Sequence, residues 1–231
     1  MNLLKAIVTV SGLTMISRIF GFIRDILIAA ILGASPLADI FFVAFKLPNL
    51  FRRLFAEGAF NAAFVPQFSG LLETRGLRWA HNYAEQALAV LLWSLLIFMI
   101  LFEIAMPWVM FGFAPGFAVD SERFELAVLL SRITFPYLLF ISLVSLMSGV
   151  LNSLGKFAAA AATPILLNIC LIGAILWLVN FTLTPAHALA WGVVISGAVQ
   201  FLWLLFCISK AGVRLRLRVP RLSPPIKEIV E

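Results

Sequence analysis

Between Phe157 and Phe181, and again between Ala186 and Ile208, the chain contains no Asp, Glu, Lys or Arg. About 20 mostly apolar residues carry an α-helix across a bilayer, and in hydrocarbon only helices and closed barrels satisfy every backbone N–H and C=O internally. Two such runs in succession point to a helical membrane protein before any other residue is read. Composition agrees: 63% of the 231 residues are hydrophobic and only 12% are charged, with a mean hydropathy of +1.07. Soluble domains hold roughly 45–50% apolar residues, and this chain has too few charges to cover the surface of a soluble fold.

Four further runs give six candidate spans in all: Ala6 to Leu32, Asp39 to Pro66, Gln86 to Phe102 with an extension through Trp108, and Leu126 to Leu154, the last interrupted by Arg132 and expected to bend at Pro136. A cleaved signal peptide does not suit the first run, which contains Arg18, Arg24 and Asp25 and lacks a small-residue cleavage site after a short apolar core. One set of alternate loops carries Lys5, Arg75, Arg78, Lys156, Lys210, Arg214, Arg216, Arg218, Arg221 and Lys227, while the other carries only Arg123. The positive-inside rule then puts both chain ends in the cytoplasm and the acidic loop of Asp120, Glu122 and Glu125 outside. The net charge of +6 is thereby explained by membrane topology, and no nucleic-acid partner is expected.

The two N-terminal runs are unusual because they hold Arg18, Arg24, Asp25, Asp39, Lys46, Arg52, Arg53 and Glu57. A Lys or Arg at the bilayer centre costs about 2.5–3.5 kcal/mol on insertion scales, so these side chains must face one another, water or a ligand. Residues seven apart return to nearly the same helix face, which aligns Arg18 with Asp25, and Asp39 with Lys46 and Arg53. Structural ion pairs are one reading, and snorkelling of Arg52, Arg53 and Glu57 to the cytoplasmic interface is another. The basic residues nevertheless outnumber the acidic ones, and the planar fork of arginine binds phosphate oxygens bidentately. A phosphate or diphosphate is the expected partner. Pro48 removes a backbone donor and should bend the second span, freeing a carbonyl for a cavity or a neighbouring helix. Gly12, Gly21, Gly33 and Gly58 are expected to allow helix packing or bending.

No Gly-rich phosphate loop, HExxH or nucleophile elbow occurs, and no base or carboxylate cluster accompanies the arginines. Enzymatic activity is not expected, nor is a cofactor. Cys170 and Cys207 lack metal-ligand or redox spacing and read as packing, and His81 and His187 read as solvated or capping residues, so no metal site is expected.

The segments "SRIFGFIRD" (17–25), "ADIFFVAFKLPNLFRRLFAEGAFNAAFVP" (38–66), "APGF" (114–117) and "ITFPYLLFISL" (133–143) resemble the N-terminal half of the MurJ family, also called MviN. These are lipid II flippases of the multidrug/oligosaccharidyl-lipid/polysaccharide (MOP) exporter superfamily. The resemblance implies an all-α, six-helix lobe of a two-lobed transporter. Its cargo would be lipid II, the undecaprenyl-diphosphate-linked precursor of peptidoglycan, moved across the bacterial cytoplasmic membrane without bond chemistry. It further implies that Arg18, Arg24 and Arg52 bind the diphosphate, that Asp25, Asp39 and Asn49 orient those arginines or gate the cavity, and that Glu57 is a gate contact near the cytoplasmic mouth or else a helix end.

On this reading residues 1–209 form the lobe and residues 210–231 a basic cytoplasmic linker. The partners are lipid II, membrane lipids and the missing C-terminal lobe of the same protein. The linker stretch "VRLRLRV" alternates with period two and either lies extended on anionic lipid or is a plain positive-inside loop. Two other functions share the pattern of spans: export of drugs or other polyprenyl-linked glycans, and a non-transporting scaffold for cell-wall synthesis.

Overall fold

A computed structural model describes residues 3–53 and 60–213. Glu57 and the linker basic residues Arg214, Arg216, Arg218, Arg221 and Lys227 lie outside these described residues. Every regular element among them is helical: α1 (Leu3–Leu32), α2 (Pro36–Arg52), α3 (Phe60–Arg75), α4 (Leu77–Phe113), α5 (Ser121–Thr134), α6 (Tyr137–Ser153), α7 (Phe157–Ala161), α8 (Thr163–Leu176) and α9 (Pro185–Lys210), with short 3-10 turns at Pro115–Phe117 and Leu178–Phe181.

Among the described residues four segments are long and apolar enough to cross a membrane: α4, α5 with α6, α7 with α8, and α9. They coincide with the last four expected spans. The third runs farther than its apolar core, because α4 holds 37 residues and spans about 55 Å at 1.5 Å per residue, well beyond a ~30 Å hydrocarbon layer. The first two expected spans stand apart. α1 has 30 residues but carries Arg18, Arg24 and Asp25; the second is two helices, with α2 ending at Arg52 and α3 starting at Phe60. Length and composition therefore support four crossings.

Prolines within the helical segments set the local geometry. Pro48 cannot donate to the Ala44 carbonyl one turn back, and Thr134 at the end of α5, fully buried, donates its hydroxyl to that oxygen at 2.9 Å. Pro107 likewise leaves the Glu103 carbonyl of α4 without its helical donor, and Arg132 Nε from α5 donates to it at 3.2 Å. Pro164 does the same to Ala160, whose carbonyl accepts the Thr163 hydroxyl at 2.8 Å. The bend expected at Pro136 is present as the break between α5 and α6.

α9 runs through the centre, packed against α8, α6, α5 and α2, while α1 sits at the margin against α8 and α7. Two glycines allow the central contacts: a Cβ on Gly192 would lie 2.6 Å from the Ala174 Cβ of α8, and one on Gly197 would lie 2.9 Å from the Tyr137 ring of α6. Neither was singled out from sequence. Of those that were, Gly12 has open space around it, Gly21 faces Asn168, Gly33 turns the chain between α1 and α2 at φ +61°, and Gly58 lies outside the described residues. Phe51 of α2 packs edge-on against Phe98, Phe102 and Phe135 at centroid distances of 5.1, 4.9 and 6.0 Å. That cluster locks the rotation of α2.

Thr134→Val keeps the shape of the side chain but orphans the Ala44 carbonyl, and a lost partner for a buried polar group costs about 1–3 kcal/mol. Thermal unfolding of the purified protein in detergent should show a lowered midpoint for Thr134→Val, with Thr134→Ser close to wild type.

Candidate functional site: arginines on α1 and α2

The buried residues of α2 are Ala38, Ile40, Phe41, Ala44, Leu47 and Pro48. The opposite stripe, Asp39, Phe42, Lys46, Leu50 and Arg53, is exposed, so the seven-residue alignment of Asp39, Lys46 and Arg53 describes one real face. No salt bridge joins these three among the described residues, and the ion pairing that their spacing suggested does not form. Asp39 lies in the first turn of α2, just past the Ser35 cap, where a carboxylate also complements the helix dipole.

Asn49 and Arg52 sit beside that stripe and turn toward the bundle. Asn49 Nδ2 donates to the Phe45 carbonyl at 3.0 Å, and its Oδ1 accepts from Arg52 Nε at 3.3 Å. Because Phe51 is fixed in the aromatic cluster, the next residue emerges about 100° around the helix, over a cleft of about 440 Å³. The cleft is lined by Asn49 and Arg52 of α2, Tyr137, Ser145 and Ser148 of α6, Thr163 and Leu167 of α8, and Gln200 of α9.

Arg24 of α1 is held differently. Its Nη1 donates to Asn168 Oδ1 at 2.8 Å, while Nε and Nη2 both donate to Asp25 Oδ1, at 3.0 and 2.7 Å. Asn168 Nδ2 in turn donates to the Ser17 carbonyl at 3.0 Å, so one buried amide of α8 ties two turns of α1. The Arg24 side chain is 22% exposed and Asp25 64%. Asp25 thus pairs with its sequence neighbour Arg24, and the alignment of Asp25 with Arg18 produces no ion pair.

Arg18 lies on the exposed face of α1 among Met15, Ile19 and Phe22, also exposed. Six residues separate it from Arg24, about 9 Å along the helix axis. Arg24 and Arg52 converge on one turn of α8, since Leu167 lines the cleft of Arg52 and the next residue, Asn168, binds Arg24; Arg18 lies outside this convergence, on the exposed face of α1. Among the described residues no group of three or more His, Cys, Asp or Glu is placed to hold a metal ion.

Sequence reasoning passed over Asn168, Gln200 and the Glu103–Arg132 contact. The available signal was a lone polar residue inside an apolar run, "PILLNICLIG" for Asn168 and "SGAVQFLW" for Gln200. A buried amide in a membrane helix needs partners, but which helix supplies them is not written in the run itself.

Residues 28–231 match the family model described as "Lipid II flippase MurJ". A probable lipid II flippase MurJ of Rhizobium tropici is 47% identical over 237 aligned residues, which covers all of this chain and 44% of that protein. Among solved structures, the lipid II flippase MurJ in an inward closed conformation superposes with a TM-score of 0.78 at 26% identity, over 96% of this chain and 46% of the other. A MOP superfamily transporter from Pyrococcus furiosus gives a TM-score of 0.75 at 18% identity, over 98% of this chain and 50% of the other, a likeness of fold alone. The chain spans about half the length of the relatives it matches. It belongs to the MurJ lipid II flippase family.

Proposed function

We propose that this chain is the N-terminal lobe of a flippase that carries lipid II from the inner to the outer leaflet of a bacterial cytoplasmic membrane. The observation that carries the reading is Arg18: a guanidinium exposed on an apolar helix face, with no carboxylate in salt-bridge range among the described residues. Such a group in a membrane helix needs water or an anion. Arg24 and Arg52, each steadied by the amide of an asparagine, supply two more positive charges.

In the mechanism, Arg18, Arg24 and Arg52 draw the diphosphate into a water-filled cavity between this lobe and a second one, and the polyprenyl tail stays in lipid. Asp25 and Asn49 orient Arg24 and Arg52, and Asp39 and Glu57 act at the gates. The lobes then rock between inward-open and outward-open states. No covalent bond changes. The lobe comprises residues 1–209 with six spans, α1 and the α2–α3 pair being the first two; residues 210–231 form the basic linker, and both ends of the chain face the cytoplasm.

Complementation of a flippase-depleted bacterium tests this. The gene read through to its natural stop codon should rescue growth, and Arg18→Ala, Arg24→Ala and Arg52→Ala, expressed to the same level, should each lyse. Rescue by all of them would assign the charges to structure instead. Residues 1–231 alone should fail to rescue, because the cavity would lack its second wall. Asn168→Ala removes the support for Arg24 together with the bond to the Ser17 carbonyl, so it should reduce transport by about tenfold or more, one hydrogen bond to a charged group being worth about 1.5–3 kcal/mol, with membrane level unchanged; Asn168→Asp, which keeps the acceptor for Arg24, should lose less.

A further inference from the structure

The cleft beneath Arg52 contains a polar group that the arginine mechanism leaves unused. Gln200 of α9 is 2% exposed and lines the cleft, and its Nε2 has no hydrogen-bond partner among the described residues. A buried amide nitrogen forgoes the water it would bond in the unfolded chain, so an orphan of this kind calls for an acceptor that arrives from elsewhere. Among the described residues Arg52 is the charged side chain of the lining; no described Asp, Glu or Lys joins it. The rest of the polar lining is neutral. Ser148 and Tyr137 present hydroxyls, and Thr163, whose proton is committed to the Ala160 carbonyl, presents an acceptor oxygen.

A cation at one end and neutral donors and acceptors over the remainder match a ligand with the same asymmetry. A phosphate alone would use Arg52 and leave Gln200 unpaired. A phosphate joined to an amide-bearing, polyhydroxylated ring would use both. We propose that Gln200 reads the sugar next to the diphosphate: with the phosphate on Arg52, the Gln200 amide donates to an oxygen of an acetamido sugar seated in the cleft. This rests on the lipid II reading above and adds to it a residue that discriminates the headgroup.

The test uses the protein read through to its natural stop codon, purified in detergent, and measures affinity by native mass spectrometry for lipid II and for undecaprenyl diphosphate without sugars. Wild type should prefer lipid II by about tenfold, the scale of a hydrogen bond that only one ligand can make. Gln200→Leu removes the orphan amide at similar volume, and Gln200→Glu keeps the shape but replaces the donor. Both should bind the two lipids about equally, with the loss falling on lipid II and unfolding temperatures near wild type. Undiminished preference in both variants would overturn the inference and assign Gln200 to a bound water. Wild type that binds neither lipid would overturn the lipid II reading itself, whereas loss of both lipids in Arg52→Ala alone would leave that reading standing.

Discussion

Inside a bilayer no solvent is available to a backbone carbonyl, so every helix-breaking proline creates a debt that another part of the protein must meet. Among the described residues the helical bundle is fastened at three such oxygens. Ala44, Glu103 and Ala160 each lose their helical donor to Pro48, Pro107 and Pro164, and each is taken by a side chain: Thr134, Arg132 and Thr163. Two of those bonds join helices far apart in the chain, Thr134 tying α5 to α2 and Arg132 tying α5 to α4, and the third spans the break between α7 and α8. The prolines thus bend the helices, and the hydrogen bonds that answer them also fasten the bundle.

The side chains of the candidate site depend on that fastening. Pro48 lies one turn before Arg52, and the bond from Thr134 together with the packing of Phe51 on Phe98, Phe102 and Phe135 fixes where that turn points. Arg52 is then steadied by Asn49, as Arg24 is by Asn168. Neutral amides hold a guanidinium without cancelling its charge, which leaves its field available to an anion. Arg24 does pair with Asp25, but the carboxylate is largely exposed and solvent weakens its hold.

Much of this was legible in the sequence. The uncharged runs marked α7 with α8, and α9, because burying apolar residues in lipid leaves a signal that needs no partner to interpret. Pro136 foretold the break between α5 and α6, and Pro48 foretold a freed carbonyl, since the missing N–H is a property of the residue itself. The expected ion pairs were less secure. Spacing of seven put Asp39, Lys46 and Arg53 on one face, as found, but it could not say whether the side chains would reach one another, nor that Asp25 would turn to Arg24. The extents of α3 and α4 also differed from the apolar pattern, because Gly76, at φ +81°, lets the chain turn between them and α4 continues as helix past the limits of its apolar run.

The sequence by itself determined a helical membrane protein with an excess of arginine in its N-terminal quarter, along with its family, because hydropathy, charge and local motif are properties of contiguous residues. Tertiary structure alone decided which residues serve those arginines. Asn168 stands 144 positions from Arg24, Thr134 stands 90 from Ala44, and Gln200 reaches the cleft of Arg52 only because Gly192 and Gly197 let α9 approach its neighbours closely. Hydrogen bonds act over about 3 Å, so a partner far along the chain becomes a partner only when packing has brought its helix within reach.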